Sequence, residues 1–131
     1  MTVGGTAPGE LDWLLSNLVT NADRIRQAVI LSADGLPLSM SPGMEQDEAD
    51  HLAALAAGVQ SLARGAGQQL RGGEVRQTVI EMDEALLFIA AAGRGTCLAV
   101  VTEVDVDAGL IAYEMAVLVK RVGKHMVANP R

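Results

Sequence analysis

Aromatic residues are almost missing from this 131-residue chain, which has one Trp, one Tyr and one Phe. Single-stranded nucleic acid is held on stacked aromatic platforms, and Trp13, Phe88 and Tyr113 cannot supply one. Basic residues are also short: ten Lys and Arg face sixteen Asp and Glu, for a formal net charge of -6. Phosphate backbones are bound mainly by clustered cations, so no nucleic-acid partner is expected. A single cysteine, Cys97, excludes an intramolecular disulfide and fits a reducing cytoplasm. The longest apolar run, Ala85 to Ala92, falls far short of the roughly 20 residues of a membrane-spanning helix. The first residues carry neither basic charge nor an apolar run, so no secretory signal is read. These absences predict a cytoplasmic protein with no direct membrane insertion.

Catalytic patterns are equally scarce. No G-x-x-x-x-G-K-[ST] loop occurs, and no G-x-G-x-x-G follows a strand and opens a helix. Gly93-Arg94-Gly95-Thr96 resembles a fragment of one but joins two predicted strands, where no helix N-terminus could face a phosphate. Cys97 falls inside an apolar strand, where a thiol is a small inert hydrophobe. His51 and His125 lie at the ends of separate helices without a carboxylate spaced to support either. No enzyme activity, cofactor or metal is therefore expected.

What is present is half hydrophobic and strongly periodic. Residues 1–8 are Gly-rich and read as a flexible lead-in to a single domain over 9–131. Leu11, Leu14, Leu15 and Leu18 recur at helical spacing, which predicts a helix over Gly9–Asn21. Ala28–Leu31 predicts a strand, Asp34-Gly35 a hairpin turn, and Leu36–Met40 a second strand. A long helix follows, with Leu52, Leu55, Ala56, Val59, Leu62, Ala63, Ala66 and Leu70 as its expected core stripe. Asp47 is its expected cap, and Gly72-Gly73 its stop. Three strands, Val75–Met82, Ala85–Ala91 and Thr96–Thr102, form a meander. Asp105 or Asp107 caps a last helix that reaches about Val127, with Ile111, Met115, Leu118 and Val122 facing the core.

The strands at Ala28, Ala85 and Thr96 are apolar throughout, as strands covered on both faces should be. Pro37 cannot donate to a ladder, so its strand belongs at an edge. Arg76, Gln77, Thr78 and Glu81 place the third strand at the other edge. The expected fold is α/β, a three-layer α/β/α sandwich around a five-stranded antiparallel sheet of order 2-1-5-4-3. One long crossover helix lies on one face and two helices lie on the other.

Two surfaces stand out. Opposite the expected core stripe of the long helix, Asp50, Ala54, Ala57, Ser61, Arg64 and Gln68 form a face with a small centre, flanked by Gly58 and Gly65. A solvated face would carry Glu and Lys, so a second close-packed helix is expected there. A two-fold axis beside the third strand would pair that edge with its own copy and join the two helices. The expected dimer interface comprises Ala54, Ala57, Gly58, Ser61, Val75, Gln77 and Val79. Trp13 points away from the leucine stripe of the first helix and is either a ring folded onto the N-terminal segment or a binding anchor. Arg94, on a hairpin, is a second candidate partner contact, as an arginine finger or as a merely solvated side chain. After Glu114 the chain has only cations, Lys120, Arg121, Lys124 and Arg131; they suit the helix dipole or form a basic docking patch.

The order helix, hairpin, long helix, meander, helix resembles the roadblock/dynein-light-chain family. Ala28-Val29-Ile30-Leu31-Ser32-Ala33-Asp34-Gly35-Leu36 looks like its first hairpin. Gly95-Thr96-Cys97-Leu98-Ala99-Val100-Val101 and Ala112-Tyr113-Glu114-Met115 look like its actinobacterial conservon branch. The resemblance runs from about Glu10 to Met126 and its motifs are structural. It implies a non-catalytic homodimer that binds and regulates a small Ras-like GTPase, in some members by stimulating GTP hydrolysis without donating a catalytic residue. For the conservon branch it implies a complex with a sensor-kinase-like membrane protein, which would recruit the chain to the membrane. The alternative is a passive scaffold or a small-molecule-sensing domain without a GTPase partner.

Overall fold

The computed structural model describes residues 11–93 and 95–127. The expected flexible segment, residues 1–8, and Arg94 lie outside the described residues. The elements are α1 (Asp12–Asn21), β1 (Ile25–Ser32), β2 (Pro37–Met40), α2 (Gln46–Gln69), β3 (Gln77–Glu81), β4 (Leu86–Ala91), β5 (Thr96–Thr102) and α3 (Ala108–Val127). The sheet is antiparallel throughout, in the order β2-β1-β5-β4-β3. The fold expected from the sequence is thus observed, including both edge strands.

Turn chemistry fixes the hairpins. Gly35 has φ +87°, and its N–H donates to the Ser32 carbonyl oxygen at 3.0 Å, closing the β1–β2 turn. The β4–β5 turn is closed by Thr96, whose N–H and hydroxyl both donate to the Gly93 carbonyl oxygen. These positive-φ positions need glycine because a Cβ would crowd the backbone.

Side chains alternate across the sheet and divide the core in two. One face packs Ala28, Ile30, Phe88, Leu98 and Val100 against Leu11, Leu14, Leu15 and Leu18 of the first helix region and Ile111, Met115, Leu118 and Val122 of α3. All the core residues expected of these two helices are buried. The other face packs Val29, Leu31, Leu87, Ile89, Cys97 and Ala99 against Ala49, Leu52, Ala53 and Ala56 of α2. Alanines let α2 lie close on the sheet.

Two expectations about α2 are corrected. Its N-cap is Glu45 and not Asp47, because the helix starts at Gln46 and Asp47 is already inside it. The Glu48 carboxylate reaches back and accepts the Glu45 N–H at 2.9 Å, one half of a capping box. The core stripe is also rotated. Leu52 and Ala56 are buried, but Leu55, Leu62 and Leu70 are 56, 78 and 77 % exposed. The line that meets the sheet is Ala49, Leu52, Ala53, Ala56 and Gln60. Leucine positions misled the reading, since close helix–sheet packing here selects small residues instead. For α3, Asp107 caps: its Oδ1 accepts the Leu110 N–H at 3.1 Å.

Candidate functional site

The two edges of the sheet are finished differently. At β2 the start of α1 closes the edge: Asp12 Oδ1 accepts the Met40 N–H at 3.2 Å, and Ser39 Oγ accepts the Leu11 N–H at 3.2 Å. Pro37 removes a further donor. At β3, no described side chain closes the edge in this way, and Val79 stands 49 % exposed at its centre.

The outward face of α2 is a second uncovered surface. Leu55, Gly58, Leu62 and Gly65 recur at 3-4-3 spacing, which lines up one seam along a helix. Nothing lies within 4 Å of where a side chain at Gly58 or Gly65 would start. Two leucine knobs therefore alternate with two open glycine gaps, and half-buried Val59 borders them. Sequence reasoning placed Leu55 and Leu62 in the core and so missed this seam. The available signal was the width of the apolar arc: small core residues and large leucines occupy adjacent stripes, which one contact cannot cover.

The expected interface residues divide among several environments. Ala54 is exposed and Ala57 half-buried, and both line the Gly35 turn of their own chain, where a side chain at Gly35 would come within 3.5 Å of Ala54 Cα and Ala57 Cβ. Their small size thus has an intramolecular cause. Gly58, Ser61, Gln77 and Val79 are exposed, and Val75 is half-buried in the loop before β3. The structure brings Gly58 to the leucine seam and places Gln77 and Val79 on the bare edge.

A second surface joins α1 and α3. Trp13 is 48 % exposed, and the Arg121 guanidinium lies over its ring at 5.1 Å from the centroid, within cation–π range. Leu110, Tyr113 and Val117 of α3 are exposed nearby in sequence on the face that also carries Lys120, Arg121 and Lys124. Trp13 is therefore held by the last helix instead of being part of the core, and the C-terminal cations share a helix face with apolar side chains. Among the described residues, no group of three His, Cys, Asp or Glu could hold a metal ion. None of the described helices is long and apolar enough to cross a membrane.

Burial raises the Cys97 thiol pKa above its ordinary value, and the nearby Arg64 charge offsets this only in part. At the opposite end of the sheet Arg26 forks onto Glu103, donating from Nε at 2.9 Å and Nη2 at 3.0 Å, and Nη2 also reaches the Glu84 carbonyl oxygen. The fork lowers the Glu103 carboxyl pKa.

The Roadblock/LC7 domain family model matches residues 11–102. A Roadblock/LC7 domain from Streptomyces avermitilis is 52 % identical, with a TM-score of 0.82 over 86 % of this chain and 93 % of that one. A second from the same organism is 40 % identical, with a TM-score of 0.71 over 86 % and 98 %. Myxococcus xanthus MglB shares the fold at 16 % identity, with a TM-score of 0.81 over 91 % and 96 %. No curated protein matches the chain. With most of its length matched by the family model and a relative at 52 % identity, the chain belongs to the Roadblock/LC7 domain family.

Proposed function

We propose that this chain is a non-catalytic homodimeric regulatory subunit that binds a small Ras-like GTPase and modulates its signalling. The observations that carry this reading are the bare β3 edge and the exposed Leu55–Gly58–Leu62–Gly65 seam of α2. An open edge and an exposed leucine seam are both liabilities in water. A second copy removes both through one self-complementary contact. Gly58, Gln77 and Val79 of the interface expected from the sequence fall within it, and Leu55 and Leu62 join them. Assembly has a precedent in fold: one solved MglB has a tetrameric arrangement, at 18 % identity to this chain.

Regulation of a GTPase is supported by family membership together with the inert chemistry of the described surface. Its single thiol is buried, and burial raises its pKa, which makes it a poor nucleophile. The partner surface assigned to the GTPase complex is the α1/α3 face, where Trp13 and Arg121 form a ready aromatic–cationic anchor. Arg94 is a further proposed contact. In the conservon setting the same subunit would be recruited to the membrane by a sensor-kinase-like protein. Mixing the purified chain with a small Ras-like GTPase of the same organism, and measuring complex formation and GTP turnover, tests the proposal. A saturable complex supports it, with or without faster hydrolysis. Absence of binding to either the GTP or the GDP form would leave the scaffold or sensory reading in its place.

A further inference from the structure

Beneath the last turns of α2 the sheet is not covered. The buried line of α2 ends at Gln60, and beyond it that side of the helix carries only half-buried Ala63 and then Gly67, which has no side chain. Among the described residues, the β4–β5 hairpin below contributes small groups there: Ala91, Gly93, Gly95, Thr96 and Cys97. A half-open pocket of about 800 Å³ results, within the size range of small-molecule sites. Its rim carries Arg64 and Arg71 with Glu74, and its floor carries Gln60 and Cys97.

Gln60 is the informative residue. It is only 3 % exposed, and its Oε1 has no hydrogen-bond partner among the described residues. Buried polar atoms are nearly always paired, because an unpaired one keeps its full desolvation cost. A leucine at this position would extend the apolar line of α2 without that cost. The pocket is also shaped by the backbone: a side chain at Gly67 would start 2.4 Å from the Gly73 carbonyl oxygen, so the turn after α2 crosses tightly here. The Gly72 N–H donates to the Gly67 carbonyl oxygen at 2.8 Å and fixes that crossing.

We infer that this pocket binds a small amino- or hydroxycarboxylate, whose carboxylate meets Arg64 and Arg71 and whose N–H or O–H donates to Gln60 Oε1. Two guanidinium groups against one carboxylate give the rim a net positive charge on a chain of net charge -6, which selects an anion. The small floor residues leave room for the ligand's carbon skeleton. This site lies on the sheet-facing side of α2 and is separate from the leucine seam, so a ligand there would bind each copy on its own.

The full chain is titrated by isothermal calorimetry with a set of amino- and hydroxycarboxylates, with matched acids lacking the donor group as controls. The expected result is that at least one donor-bearing acid binds saturably and more than tenfold more tightly than its control. The same acid should bind more than tenfold more weakly to Arg64→Met and to Gln60→Leu, two variants whose circular dichroism and melting confirm folding. Failure of every acid to bind would overturn the inference. So would binding that survives both substitutions, or equal binding of the controls. None of these outcomes depends on GTPase binding.

Discussion

β2 and β3 end the same sheet, yet their edges obey different rules. At β2, Pro37 removes a donor, Asp12 caps the Met40 N–H, and Ser39 ties the start of α1 to the strand. At β3 the chain uses none of these devices among the described residues, and it leaves a leucine seam exposed on α2. An edge that is closed by its own chain marks where pairing is prevented. An edge left open in a chain that also exposes complementary knobs and gaps marks where pairing is used.

The largest effect should come from the seam. Leu62→Arg places a charge where the proposed contact buries a leucine, and should raise the self-dissociation constant at least 100-fold in sedimentation velocity, which corresponds to about 3 kcal/mol. Folding should be almost unchanged, since Leu62 is 78 % exposed in the single chain. Ala57→Arg supplies the contrast: it presses on the Gly35 turn, so it should lower the melting temperature as well. If Ala57→Arg dissociates the dimer and Leu62→Arg does not, the contact lies on the small face read from the sequence.

Trp13→Ala should weaken binding of the GTPase complex by about 2 kcal/mol, as loss of an interface tryptophan often does. Self-association should stay the same, because Trp13 is on the side of the sheet away from α2. Titration calorimetry with the partner checks the first statement and light scattering the second. A smaller change is expected at the finished edge. Asp12→Ala removes the acceptor for the Met40 N–H and should cost about 1 kcal/mol in chemical denaturation, without altering the mass in solution. Higher oligomers in this variant would show that Asp12 also guards the β2 edge against pairing.

The smallest effect is a pH dependence at the Arg26–Glu103 fork. Glu103 has a lowered folded-state pKa, caused first by the hydrogen bond from Arg26. The stabilisation it gives is therefore fully present above the ordinary carboxylate range and is lost as pH falls through the lowered value. Glu103→Gln should be slightly less stable than the parent at neutral pH, and the two denaturation curves should converge in acid. A gap that persists at low pH would show that the carboxylate charge is not the cause.

Much of this architecture was legible in the sequence because local signals and burial agreed. Pro37 and the polar run of β3 gave the edges, and Asp34-Gly35 gave the first turn. Leu11, Leu14, Leu15 and Leu18 found their true face because α1 has one apolar stripe, and that stripe is the buried one. On α2 the same logic failed. Its core line is mostly alanine, while Leu55 and Leu62 face outward, so hydrophobicity alone ranked the faces in the wrong order. The small face around Ala54 and Ala57 had a cause invisible to periodicity, a glycine turn from a distant hairpin. The pocket left no motif, because it is made of missing side chains at Gly67, Gly93 and Gly95 together with one amide, Gln60, on a helix face.

The most direct test of the paired β3 edge is the mass of the unmodified chain in solution. Multi-angle light scattering across micromolar loading concentrations should give twice the 13.7 kDa of one copy. A mass of one copy throughout that range would contradict the account, because the open edge and the leucine seam would then face water.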